Sequence, residues 1–411
     1  MTYYFKCVLC GAEYDPRTVR YVCPKHGDDG ILDTVFDFTE ISKTASPHTI
    51  ADSPDFSIWR YAPLLPLDNP QRSAPPLQVG WTPLYRSTTL GVQLGINKLY
   101  FKDDGRNPTS SLKDRASAVV VAKARELGIE LITTASTGNA GAALAGLAAA
   151  AKMPAVIFVP KTAPQAKIAQ LLIYGARVIL VEGNYDKAFE LCLQVTKEFG
   201  WYCRSTAFNP YTVEGKKTAA LEICEQLQWK SPDVVFASVG DGNIICGLWK
   251  GFRDLLSLGW IEKMPRLIGI QAETSAACYN AWKAGNEKIV PVQATTIADS
   301  ISADFPRDGV RAVRAVRETG GVYLTVTDPE ILNAIPELAR GEGIFCEPAA
   351  SAAYAGLKKA VQQGVVRADD NVVCLLTGNG LKDISSAMKV AGTPTVIEPT
   401  LEAVRRLNIS R

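Results

Sequence analysis

Lys113 is the first residue whose surroundings suggest chemistry. The stretch Asp104–Gly105–Arg106–Asn107–Pro108–Thr109–Ser110–Ser111–Leu112–Lys113–Asp114–Arg115 runs into an apolar helical pattern carried by Ala116, Val119, Val120 and Ala122. Ser110 or Ser111 is a natural N-cap, which places Lys113 in the first helical turn. A helix N-terminus carries about half a positive charge, so a lysine there is pushed toward the neutral amine that Schiff-base chemistry requires. On this stretch alone, a surface lysine in a charge cluster with Asp114 and Arg115 reads the same way.

Three further loops have the composition of ligand cradles. Ser136–Thr137–Gly138–Asn139–Ala140–Gly141 follows a strand-like run and opens an Ala-rich helix, so its hydroxyls and backbone N–H groups can receive an anion such as a carboxylate. Gly240–Asp241–Gly242–Asn243 follows Val234–Val239 and precedes a helix; its glycines allow the backbone close to a phosphate. It is neither a GxGxxG fingerprint nor a lysine-bearing nucleotide loop. Thr377–Gly378–Asn379–Gly380–Leu381–Lys382–Asp383 ends a buried strand and offers a hydroxyl that can face a ring nitrogen. Separately, Cys7-x2-Cys10 and Cys23-x2-His26, with a 12-residue spacer, have the spacing of a four-coordinate structural zinc site. A metal-free ribbon would keep the same spacing.

These loops need strands and helices to hold them. From about residue 97, short β-branched runs alternate with longer helical stretches. Leu131–Ala135, Ala155–Val159 and Arg177–Val181 read as strands; Ala140–Ala151, Pro164–Tyr174 and Tyr185–Phe199 read as helices. The rhythm restarts at Asp233–Val239, Leu248–Leu258, Arg266–Gln271 and Asn371–Leu376. Alternation of this kind means βαβ units and buried parallel sheets. The expected fold is α/β, with two open, twisted, mainly parallel sheets flanked by helices and a cleft between them. The expected organisation is a Cys/His module over 1–35, a connector over 36–78 without a core of its own, and a large α/β domain over 79–130 and 206–395. A small α/β domain over 131–205 and a tail over 396–411 complete it.

Composition excludes several classes. The 411 residues are 47% hydrophobic and 21% charged with a net charge of +2, so no strong field draws the chain to nucleic acid or to an anionic membrane. Residues 1–10 lack the pattern of a secretory signal. The longest apolar stretch, Ala140–Ala151, falls well short of the ~20 residues that span a bilayer. Six of the seven cysteines after position 100 sit in apolar runs, as in reduced cytoplasmic proteins. A small-molecule partner in the cytoplasm is the expectation.

Taken together, the Lys113 stretch and the three loops resemble, in order and spacing, the fold-type-II family of pyridoxal-phosphate (PLP) enzymes, from about Gly80 to Asp383. Asn-Pro-Thr-x-Ser-x-Lys-Asp-Arg, Val181–Asn184, Asn209–Pro210 with Glu214–Gly215, Ile344–Ala349 and Thr377–Asp383 resemble the threonine synthase family in particular. The resemblance implies that Lys113 holds PLP as a Schiff base and that Asn139 bonds the cofactor's phenolic oxygen. It further implies that Gly240, Asp241, Gly242 and Asn243 hold the phosphate, that Thr377 meets the pyridine nitrogen, and that Ser136 and Thr137 cradle the substrate carboxylate. Such an enzyme converts O-phosphohomoserine and water to threonine and phosphate, and the likeness implies a homodimer. Threonine synthase-like chains often carry an N-terminal ribbon, here with Cys7, Cys10, Cys23 and His26 as ligands.

The sequence departs from the family pattern in four places. Leu112 stands where Phe is usual, Asn379 where His is common, and the 240–243 loop is about one residue short. Thr296–Asp304 lacks an expected Arg, which leaves Lys161, Lys167, Arg106 and Asn209 as candidates for a substrate phosphate. A serine/threonine dehydratase, or a β-replacement enzyme such as a cysteate synthase, would share Lys113 and the loops. A non-catalytic zinc-ribbon interaction protein is the reading from outside enzymology.

Overall fold

In the computed structural model, which describes residues 3–163, 165–407 and 409, the strands form three sheets. The strands are β1 (Tyr3–Cys7), β2 (Glu13–Tyr14), β3 (Leu32–Phe36), β4 (Leu84–Arg86), β5 (Lys98–Asp103), β6 (Ile132–Ala135), β7 (Ala155–Pro160), β8 (Arg177–Val181), β9 (Tyr202–Cys203), β10 (Val234–Ser238), β11 (Arg266–Ala272), β12 (Tyr323–Val326) and β13 (Asn371–Leu376). Helices of nine residues or more are α1 (Lys113–Glu126), α2 (Asn139–Ala150), α3 (Gln165–Ile173), α4 (Tyr185–Phe199), α5 (Tyr211–Gln226), α6 (Asn243–Ser257), α7 (Gly309–Glu318), α8 (Asp328–Glu342) and α9 (Pro348–Gln362).

The larger sheet runs β12-β11-β10-β13-β5-β4, parallel except for the β4 edge. Its centre is apolar on both faces because helices cover both: α9 packs on one, α6 and α7 on the other. Val235 of β10 lies between Leu267 and Val373, and all three are fully buried. The smaller sheet runs β8-β7-β6-β9 and is parallel throughout. Alternate residues of β7 enter different cores: Val156 and Phe158 join Phe189 and Cys192 of α4, whereas Ile157 and Val159 join Leu144 and Leu147 of α2.

The expected α/β architecture is therefore present, and the strand at 177–181 and the helix at 185–199 match in both limits. Pro164, at the start of one expected helix, lies outside the described residues. β1, β2 and β3 make a small antiparallel sheet that the Cys/His spacing did not reveal. In the 36–78 segment, Ile58, Tyr61 and Leu64 are fully buried in the main core. Arg60 anchors the segment to α5 by an ion pair with Glu225.

The N-cap expectation is corrected. Helix α1 starts at Lys113 with Leu112 in the cap position and no side-chain cap. Ser110 adopts a left-handed conformation (φ 67°), and Ser111 bridges to Gly378. These serines are drawn into pairing with the 377–379 loop, where Leu112 N donates to Thr377 O (2.9 Å) and Asn379 N to Ser110 O (3.1 Å). Two glycines bring α1, α5 and α6 into near backbone contact. A Cβ on Gly215 would lie 2.1 Å from Arg115 O, and one on Gly247 would lie 2.7 Å from the Lys216 Cβ. Lys113 and Lys216 are thereby set facing the same cleft.

Candidate active site

Three parallel strands end at one cleft. β6 ends at Ser136–Asn139, β10 at Gly240–Asn243 and β13 at Thr377–Gly380, the carboxyl-end placement typical of ligand sites in open α/β sheets. A cavity of about 40 Å³ is lined by Lys113, Lys216, the 240–243 loop and Thr377. It adjoins a second of about 110 Å³, lined by Thr137, Asn139, Lys167, Glu347 and Lys382, with Ser300 and Ala349 shared between the two. Lys113 has two of the three loops around its cavity and Thr137–Asn139 on the adjoining one.

The charge cluster around Lys113 is not a surface one. Asp114 and Arg115 are both fully buried, and Asp114 accepts from Thr109 N (2.7 Å) and the Thr109 hydroxyl. Lys113 itself is partly buried and has no ion-pair partner among the described residues. Burial pushes its amine below the usual lysine range; Glu347 opposes this and the Arg204 charge adds to it.

Of two further cations, Lys216 lines the smaller cavity, and Arg204 is close enough for its charge to act on Lys113 and Lys216. Lys216, in α5, is buried and donates Nζ to Asn243 Oδ1 (2.5 Å). Burial, Arg204 and Lys113 hold its amine well below the usual range. Arg204, just after β9, is fully buried and donates to Ser117 Oγ (3.1 Å) and Thr206 Oγ1 (3.0 Å), while its Nη2 has no hydrogen-bond partner. Burial lowers this guanidinium to about 10. Asp241 is the acid on this side of the cavity, and its carboxyl is raised by burial.

Helices α2 and α6 begin here with glycines at the cap and no capping side chain, which leaves their first N–H groups for a ligand. Gly242 has a left-handed φ of 89°, and a Cβ there would lie 2.8 Å from Ala312. Excess buried cation, an orphaned guanidinium donor and a glycine cradle fit a phosphate-bearing group.

The substrate side is less as expected. Thr137 and Asn139 line the larger cavity; Ser136 does not, and its carbonyl lies 2.3 Å from where a Gly141 Cβ would stand. Asn139 Nδ2 donates to Glu347 Oε1 (2.8 Å) and Ser300 Oγ (3.2 Å). Glu347 is buried, and burial lifts its carboxyl. Its place before Pro348 in an apolar run was the available signal. Among the candidates for a substrate phosphate, Asn209 is not brought to the cleft. It is fully buried, donates to Cys203 O (2.9 Å) and accepts from Tyr211 N (3.0 Å). Lys161 pairs with Glu182 on the surface, and Arg106 is exposed. Lys167 does line the cavity, paired with Asp299 (2.5 Å). Lys382, overlooked in the sequence, joins it there and donates to Gln170 Oε1 (2.7 Å).

At the N-terminus, the ligand atoms of Cys7, Cys10, Cys23 and His26 all lie within 4.8 Å of one another. The Cys10–Cys23 sulfur separation is 3.9 Å. A tetrahedral zinc with ~2.3 Å bonds to sulfur sets sulfurs about 3.8 Å apart, so the donor set fits that ion. The remaining seven cysteines are buried free thiols. No helix among the described residues is long and apolar enough to cross a membrane.

An open α/β fold that gathers a lysine, a phosphate cradle and an Asn-bearing helix start at strand ends defines a lysine-dependent cofactor enzyme. The chain belongs to the pyridoxal-phosphate-dependent enzyme family, whose model matches residues 76–378. It is 41% identical to a threonine synthase of Methanosarcina acetivorans and 38% identical to one of Methanocaldococcus jannaschii, each match covering 98% of both chains. Diaminopropionate ammonia lyase of Escherichia coli superposes with a TM-score of 0.67 at 18% identity, covering 82% of this chain and 93% of that one. The processed form of threonine deaminase isoform 2 from Solanum lycopersicum gives 0.64 at 23%, covering 75% and 86%. These two likenesses show the fold. PLP is the family's cofactor, and the residues around Lys113 fit it.

Proposed function

We propose that this chain is a threonine synthase, converting O-phosphohomoserine and water to threonine and phosphate. The observation that carries the reading is the full-length match to threonine synthases, read together with Lys113 at the meeting of the strand-end loops. Bound PLP supplies an electron sink for charge developing at the substrate's Cα. The chain's own residues do the rest. Lys113 moves protons: one is taken from Cα and one from Cβ, and protons return at Cγ and Cα. Phosphate leaves Cγ and water adds its hydroxyl at Cβ. Gly240–Asn243 and Lys216 hold the cofactor's phosphate, Thr377 meets its ring nitrogen, and Asn139 meets its phenolic oxygen. Thr137 and the start of α2 receive the substrate carboxylate, and Lys167 with Lys382 receives the leaving phosphate. Residues 79–130 and 206–395 carry the cofactor, with 131–205 as the smaller domain, in a homodimer.

Purified protein loaded with PLP is expected to release threonine and phosphate in equal amounts from O-phosphohomoserine. Ammonia release from serine or threonine, or β-exchange on an activated serine, with no phosphate released from O-phosphohomoserine, would assign the site to another branch of the fold. The reading also includes one structural zinc on Cys7, Cys10, Cys23 and His26, a closed shell with no open position for chemistry. Metal analysis is expected to find about one zinc per chain. Chelation or Cys23→Ser should lower the melting temperature by several degrees. Metal-free protein with unchanged melting in Cys23→Ser would remove the zinc from the account.

A further inference from the structure

A continuous chain of buried polar contacts joins the N-terminal sheet to the 240–243 loop. Asp33 of β3 accepts from Arg311 Nη1 (3.2 Å) on Oδ1 and from Arg253 Nη2 (2.9 Å) on Oδ2. Arg311, in α7, turns its Nε (3.0 Å) and Nη2 (2.7 Å) onto the two carboxylate oxygens of Asp308. Asp308 Oδ2 also accepts from Asn243 Nδ2 (2.7 Å), and Asn243 Oδ1 accepts from Lys216 Nζ (2.5 Å). Asp308 N donates to Asp241 O (2.8 Å), so the same residue buttresses the loop's main chain. All five side chains from Asp33 to Lys216 belong to buried residues.

The chemistry of each link fixes the next. An ionised carboxylate only accepts, so the Asn243 amide must turn its Nδ2 toward Asp308 and its oxygen toward Lys216. Lys216 satisfies that oxygen and keeps its other N–H bonds for an anion in the cavity. Asp308 is held by a planar fork whose remaining nitrogen reaches Asp33, a bridge that a single ammonium cannot span. Asp33 also faces Lys250 (3.4 Å) from α6, so three cations surround it.

We propose that Asp33 of the N-terminal module is a positioning residue for the cofactor-phosphate loop, acting through Arg311 and Asp308 on Asn243 and Lys216. The proposal rests on the reading that 240–243 and Lys216 receive the cofactor's phosphate. It gives the ribbon a task in the active site that its distance from Lys113 in sequence conceals.

The test uses the full chain, with the PLP dissociation constant measured by titrating apoprotein and the bound cofactor's phosphate followed by phosphorus NMR. Asp33→Asn is expected to raise the dissociation constant roughly tenfold, the effect of replacing the charged acceptor of Arg311 by a neutral one, and to move the phosphorus resonance. Arg253→Ala, which removes a contact to Asp33 outside the relay and leaves the relay intact, should change neither. If Asp33→Asn lowers only the melting temperature and matches Arg253→Ala in both readouts, the ribbon contact is structural and the proposal is overturned. If Asp33→Asn does not fold, Arg311→Lys is read by the same two measurements. Lys216→Met separates the proposal from the reading beneath it. Unchanged affinity and resonance in Lys216→Met would remove the phosphate from this loop, whereas a change there without one in Asp33→Asn would sink the relay alone.

Discussion

Lys113→Ala is expected to lose threonine formation by about a thousandfold or more while the protein still folds. A positioned proton-transfer group alone contributes roughly 10² to 10⁴ in rate, and here one amine serves several carbons of the substrate. The residue is partly buried at the first turn of α1, and its truncation leaves no carboxylate newly stripped of an ion pair. Stability should therefore fall little, and the loss should appear in kcat. Two further readouts keep the claim specific. The visible band of protein-bound PLP should disappear or shift to that of free cofactor, and a small external amine should restore part of the rate. Full activity in Lys113→Ala would end the central assignment.

The parts of this site that were legible in the sequence are those whose signals are local. Gly240–Asn243 and Ser136–Gly141 announce themselves because a β-branched run, a glycine turn and a helix start are adjacent in the chain. Lys113 could be selected because its loop carries Asn107–Pro108 and hydroxyls just ahead of an apolar helix. Lys216 and Arg204 could not be found this way. In sequence, Lys216 is one of two lysines in a helix, indistinguishable from a solvated pair. Its burial depends on Gly247 and Asn243 from the following βα unit. Arg204 follows a two-residue strand whose one register partner among the described residues is β6. Asn209 illustrates the converse error: an Asn-Pro step looks like a ligand loop, yet its amide closes a local turn onto Cys203 and Tyr211. The N-terminal sheet went unread because β2 is only two residues long and β1 pairs with β3 across 24 intervening residues.

Arg115→Ala should be among the most destabilising single changes in the chain, by roughly 3–5 kcal/mol, because it leaves buried carboxylates without their partner. Arg115 is fully buried; it donates to both Asp104 oxygens (2.7 and 2.8 Å) and both Glu222 oxygens (2.5 and 2.8 Å). Its remaining contacts are to Thr82 Oγ1 and Thr218 Oγ1. Lys102, also fully buried, pairs with Glu222 at 2.8 Å, so the intact group holds two cations and two acids. Removing the arginine leaves one cation for two acids in a space closed to water.

The pH dependence separates this from mere loss of packing. Burial opposes ionisation of Glu222, but Arg115 and Lys102 hold its carboxyl down to about 2. Its contribution is therefore complete above the unfolded value of roughly 4.3 and is lost as pH falls toward 2. In Arg115→Ala the Glu222 carboxyl, buried and without its main partner, should rise above its unfolded value, so protonation then favours the folded state. Urea unfolding should show the gap between wild type and variant narrowing as pH drops from 7 toward 4, whereas a cavity would give a constant gap. Because Asp104 opens the loop that ends at Lys113 and Glu222 lies about 1.7 turns beyond Lys216 on α5, the same quartet fixes both lysines' elements against each other. Cofactor affinity should fall in step with stability, through the geometry of the cleft rather than through any contact Arg115 makes with a ligand.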